Sequence, residues 1–152
     1  MQEKYINFLK EVNIYDEKAI NYLKDKTRIL DYSEESKDFI GTYPQVDKNN
    51  ILKDIKMCVP KITNDITLSI NIHEYVHALL LYKNLNKEYK EDKYPELLPV
   101  FYELVYLKEN NIDDYFNYYI EHIKEQNNYL TILLNIFDKE NKKVIKWKRL
   151  NN

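Results

Sequence analysis

The chain has one glycine, one cysteine and no long apolar run in its 152 residues, and each scarcity excludes something. Loops that cradle phosphates need several glycines for close backbone approach. A lone Gly41 therefore argues against Rossmann-type and P-loop nucleotide sites. A lone Cys58 cannot form an internal disulfide, which fits a reducing compartment. No stretch reaches the roughly 18 apolar residues of a membrane span. The opening residues MQEKYINFLKEVN carry charge where a secretory leader has its apolar centre. The expectation is a cytoplasmic protein with no membrane partner. The formal charge is −2, so no overall field attracts nucleic acid.

What is present is ordinary except for tyrosine. Hydrophobic residues make up 44% and charged residues 32%, values typical of a globular domain. The length suits a single domain over residues 1–152 that buries a core without cross-links. Fifteen tyrosines supply packing area with a wet hydroxyl at one end.

Periodicity predicts an α+β fold, mostly helical, with a small N-terminal sheet. Tyr5, Ile6, Phe8 and Leu9 mark a first amphipathic helix. Ala19, Ile20, Leu23, Thr27 and Leu30 mark a second, over about Asp16 to Leu30, with Asp16 as its cap. The turn cluster Asp47-Lys48-Asn49-Asn50 predicts flanking strands. In the second of these, Ile51, Ile55, Met57 and Val59 alternate imperfectly, with Lys53 on their face. Pro60 reads as the mark of an edge strand, since proline donates no ladder hydrogen bond. A helix over Thr63 to Lys83 follows, with cap chemistry at Thr63, Asn64 and Asp65. Ile66, Ile70, His73, His77 and Leu80 share one face, read as the apolar face. Past a charged loop from Asn84 to Lys93, Tyr94-Pro95-Glu96 opens a helix to about Glu109. Two more helices are expected near Ile112–Glu125 and Asn128–Phe137. The basic tail from Lys139 to Arg149, with Trp147, reads as a solvated terminus, since no fold motif supports base readout.

The chemistry concentrates at His73-Glu74-Tyr75-Val76-His77, an H-E-x-x-H pattern. Histidines four apart on a helix lie one turn apart, so both imidazoles reach one zinc ion at about 2.0–2.1 Å. Glu74 can face a water at the same ion and take its proton. A catalytic zinc needs a third protein ligand and one open position. Glu88, Glu91, Asp92, Glu96 and Glu103 are downstream candidates. Glu96 follows His77 by 19 residues, enough for a turn and a returning helix, and Leu97, Leu98, Phe101 and Leu104 mark a packed segment. Glu96 reads as the ligand and Glu103, two turns on, as the group orienting a metal-bound histidine; the reverse assignment stays open.

HEYVHALLL followed by YPELLPVFYE resembles the active-site segment of the oligopeptidase-type gluzincins, related to thimet oligopeptidase and oligopeptidase F. The likeness covers about residues 70–107. It implies a zinc metallopeptidase with Glu96 as ligand, Pro99 near it and Glu103 seven positions on. Phe39-Ile40-Gly41-Thr42 and Lys53 to Ile62 fall where the family has its substrate-binding edge. Tyr75-Val76 departs from the family's residue-plus-glycine, and the proline comes one position later after the ligand glutamate. The large helical lobes are missing, so the chain is similar in size to the minigluzincins. The family has a histidine and tyrosines near the substrate oxyanion. Tyr118 and Tyr119 are the candidates here, in a stretch that also holds Tyr115 and His122.

The expected function is hydrolysis of a peptide or protein substrate with Glu74 as general base. Cleavage of one specific protein partner and a non-catalytic zinc-binding interaction domain are the alternatives. Oligomeric state is not encoded in any pattern found. Cys58 reads as a small packing residue.

Overall fold

The computed structural model describes residues 1–31 and 39–126. The expected helix over Asn128–Phe137 and the basic tail lie outside these residues. Among the described residues there are five helices and a three-stranded sheet, which is the α+β class expected. In chain order they are α1 (Gln2–Glu11), α2 (Glu17–Lys24), β1 (Thr27–Leu30), β2 (Gly41–Val46), β3 (Leu52–Pro60), α3 (Asp65–Tyr82), α4 (Leu97–Glu109) and α5 (Asp113–Gln126). No helix among the described residues is long and apolar enough to cross a membrane.

The second helix is shorter than its apolar spacing predicts. Asp16 caps it as expected, accepting from the Ala19 N–H at 3.0 Å. It ends at Lys24, and residues 27–30 form β1 instead of another turn. β1 runs parallel to β3, pairing Thr27 with Met57 through Leu30 with Pro60. The β-branched Thr27 and Ile29 favour that pairing, which no helical pattern can register.

The sheet order is β1-β3-β2, so β3 is central and the edge-strand expectation is corrected. Pro60 is tolerated because it is the last residue of the strand, where the ladder ends. Its carbonyl accepts from the Asn71 side chain at 2.9 Å. β2 pairs antiparallel with β3. Gln45 faces Asp54 while Val46 faces Leu52, so Lys53 is an extra residue in β3. This bulge explains the imperfect alternation. It reverses the inward phase, burying Leu52 in place of Ile51 and turning Lys53 to solvent.

Asn64 caps α3, accepting from the Thr67 N–H at 2.8 Å, and the Thr67 hydroxyl accepts from the Asn64 N–H in return. The buried side of α3 carries Leu68, Ile72, Tyr75 and Leu79. The stripe Ile66, Ile70, His73, His77 and Leu80, read from sequence as the apolar face, is the more open side of the helix, and the core takes the other face. α3 is largely apolar all round, and such a helix does not reveal from sequence which side faces the cleft. One hydrophobic cluster joins α1, α2, β3, α3, α4 and α5. Its T-shaped ring pairs include Tyr5 with Tyr75 and Phe8 with Tyr106.

Candidate metal centre

Two helices and one strand bring the site together. α3 supplies His73, Glu74 and His77; the turn before α4 supplies Glu96; α4 supplies Glu103; β2 supplies Thr42. Glu96 is the residue before the first turn of α4 but makes no cap bond with its side chain. Its carboxylate reaches the histidines instead. It lies 2.8 Å from His73 Nε2 and 3.2 Å from His77 Nε2. Glu103 lies behind the first imidazole, with His73 Nδ1 at 2.9 Å from its Oε1. The Glu103 side chain is 3% exposed, against 44% for Glu96. One carboxylate is therefore open to solvent and the other is buried behind the ring.

The charges follow from these contacts. Burial opposes a proton on His73, but hydrogen bonds to Glu103 and Glu96 outweigh it and push the imidazole up to about 10. Bonds from His73 and His77 hold Glu96 well below the usual carboxylate range. Burial raises Glu74, more than the neighbouring imidazoles lower it. A carboxyl raised above its ordinary value is better suited to taking and giving a proton than an unshifted one.

His73, Glu74 and His77 offer ligand atoms within 4.8 Å of one another, and this trio alone could grip an ion. Glu96 makes the better third donor on geometry, because it touches the Nε2 of both histidines, whereas Glu74 is held by Thr42. Donor atoms of a tetrahedral zinc lie about 3.3–3.4 Å apart when each bond is about 2.0–2.1 Å. The Glu96 contacts at 2.8 and 3.2 Å fall short of this by at most about 0.6 Å. Two imidazoles and one carboxylate are also a zinc donor set, so the residues present fit the ion.

Of the other sequence candidates, Glu91 and Asp92 are exposed, and Glu88 bridges to Ile51 in the loop after α3. Tyr119 lies beside Glu103 and hydrogen-bonds to it; burial, together with that carboxylate, raises its phenol. Tyr118 is 66% exposed and stacks on His122.

Sequence reasoning placed Thr42 only in the stretch likened to a substrate-binding edge and missed its contact with Glu74. Its hydroxyl lies 3.1 Å from the Glu74 carbonyl oxygen and 3.4 Å from Glu74 Oε1. No spacing signal links residues 32 apart. Tyr75 also acquires a role. Its hydroxyl donates to the Ile14 carbonyl at 2.7 Å and accepts from the Asp16 N–H at 3.1 Å, tying the motif helix to the α1–α2 connection.

Comparison of the chain with protein-family models, curated proteins and solved structures finds no significant match.

Proposed function

We propose that this chain is a zinc-dependent peptidase that hydrolyses peptide bonds, with His73, His77 and Glu96 holding the metal and Glu74 as general base. The observation that carries this reading is the Glu96 carboxylate within 3.2 Å of the Nε2 atoms of both motif histidines. It joins the two ends of a motif that sequence alone pairs only by spacing. The gluzincin resemblance points the same way.

A zinc ion in this donor set supplies Lewis acidity, acidifying water and polarising a peptide carbonyl. Glu74 takes the proton from the attacking water and delivers it to the leaving amine. Thr42 holds Glu74 at the end of the edge strand β2. Glu103 fixes the His73 ring through Nδ1, which leaves Nε2 for the metal. Among the described residues β2 is an edge strand of the sheet, the kind of strand beside which an extended peptide adds.

A metal-free reading rests on the same distances. At 2.8 to 3.2 Å, imidazoles and carboxylates satisfy one another by direct hydrogen bonds, as a structural polar network does. Elemental analysis of the purified wild type and His77→Ala separates the two. About one zinc per chain, lost in the variant, supports the peptidase reading and leads to a peptide-library cleavage screen. No zinc after incubation with the metal overturns it.

A further inference from the structure

A groove of about 410 Å³ runs behind α3, and none of His73, Glu74, His77 and Glu96 lines it. α3 contributes Asn71 and Tyr75 instead, each about half a turn around the helix from His73. Met57 and Val59 of β3 and Leu23 of α2 give the groove apolar walls. Its polar side chains are already engaged. The Asn71 amide donates to the Pro60 carbonyl at 2.9 Å, the Tyr75 hydroxyl to Ile14 at 2.7 Å and the Thr27 hydroxyl to Leu23 at 2.7 Å. Lys24 and Lys61 are the charged residues of the lining. Both are exposed, and neither forms an ion pair among the described residues. β1 bounds the groove through Thr27 and Ile29. The Lys26 carbonyl accepts from the Met57 N–H at 3.0 Å and the Leu30 carbonyl from the Lys61 N–H at 3.2 Å. Alternate residues of a strand in a parallel ladder face the same neighbour, so the Ile29 N–H and carbonyl point away from β3. β1 is an edge strand among the described residues, and Ile29 is 61% exposed.

We infer that this groove docks an extended acidic segment of a partner protein, which adds to β1 as a further strand. Ile29 supplies the outward backbone donor and acceptor, and an added strand places every second side chain over the groove. Those side chains are apolar, to match Met57, Val59 and Leu23, and the acidic residues between and beside them meet Lys24 and Lys61. Charge disfavours a second copy of this chain as the occupant. Two-fold pairing of β1 edges brings the same lysines of both copies to one interface, where like charges repel. A small apolar carboxylate uses the walls and the lysines but leaves the Ile29 backbone without a partner. The inference is independent of the peptidase reading, because it uses none of the residues proposed to hold the metal or move the proton.

The test uses the full chain, as Glu74→Gln so that no bound peptide is cut, and two fluorescent capped peptides that alternate Val with Glu or Val with Lys. Anisotropy should show the Glu peptide bound about tenfold or more tightly than the Lys peptide. Lys24→Glu combined with Lys61→Glu, both at exposed positions, should reverse that order. Hydrogen exchange followed by NMR should slow at the Ile29 amide when the Glu peptide binds. Ile29→Pro removes that outward N–H without taking a bond from the ladder and should abolish binding. The paired lysine variant covers the case in which Ile29→Pro does not fold. Equal binding of the two peptides, or binding of neither, would overturn the inference. Dodecanoate that displaces the Glu peptide, with no protection of Ile29 by either, would overturn it in favour of a small-carboxylate site. A dimer in sedimentation equilibrium that the paired lysine variant dissociates would overturn it in favour of an interface between copies.

Discussion

The Thr42 hydroxyl lies 3.1 Å from the Glu74 backbone carbonyl oxygen and 3.4 Å from Glu74 Oε1, so one edge-strand hydroxyl is within reach of both the backbone and the carboxylate of the proposed base and donates its single proton to one of them at a time. Thr42→Val keeps the shape and removes the bond. Metal content should stay at the wild-type level while kcat falls about tenfold, at the low end of what a misplaced general base costs. KM should change little, and Thr42→Ser should recover most of the rate. Steady-state kinetics beside zinc analysis reads all of these. An unchanged kcat in Thr42→Val means that Glu74 is positioned without it.

Glu74→Gln should keep zinc and lose turnover by about a hundredfold or more, since it removes the base and keeps the volume. The measurement is single-turnover cleavage of a library peptide by protein of known zinc content. Full activity in the variant assigns the base elsewhere.

Glu96 and Glu103 touch opposite nitrogens of His73, so their loss should differ in kind. Glu96→Ala removes a proposed ligand and should abolish stoichiometric zinc. Glu103→Gln removes only the charged partner of Nδ1 and should weaken zinc about ten- to a hundredfold. Competition with a chelator gives both affinities. The opposite order exchanges the two roles.

The Tyr75 hydroxyl is held between the Ile14 carbonyl and the Asp16 N–H. Tyr75→Phe leaves both backbone groups without this partner in a partly buried place. The cost should be about 1–3 kcal/mol. At about 2–4 °C per kcal/mol for a chain of this size, thermal melting should fall by several degrees. An unchanged Tm shows that water replaces the hydroxyl.

Asp65 accepts from Lys4 Nζ at 2.9 Å and from the Tyr106 hydroxyl, and these bonds hold its carboxyl below the ordinary range, the Lys4 bond most. A depressed folded-state pKa stabilises above the unfolded value and loses that effect as pH falls through the folded one. Asp65→Asn should therefore be less stable than wild type at neutral pH. The difference should shrink as pH falls below about 3.9, the unperturbed aspartate value. Denaturant midpoints across pH 2.5 to 7 check the sign; a difference that grows in acid contradicts it.

Much of this was legible in the chain. The α+β class, the cap Asp16, a cap for α3 among Thr63, Asn64 and Asp65, and the helix that carries the motif all follow from local chemistry. Those signals act within a few residues, where side chain and backbone meet whatever the rest of the chain does. The juxtaposition of Glu96 with two histidines 19 and 23 positions earlier was also inferable, because the metal pattern demands a third donor.

Other features were settled only by parts of the chain meeting in space. Residues 27–30 leave a helical pattern because β3 offers backbone partners that no local window contains. Lys53 turns outward because a bulge against β2 shifts the phase of β3. The histidines occupy the open side of α3 because the core takes Leu68, Ile72, Tyr75 and Leu79, a choice between two apolar faces that hydrophobicity alone does not make. Thr42 reaches Glu74 across 32 residues only once β2 lies beside α3. Sequence by itself determined which side chains can bind a metal and move a proton, since that is their covalent chemistry. Tertiary structure decided which of them meet, because hydrogen bonds act over about 3 Å and carry no information along the chain.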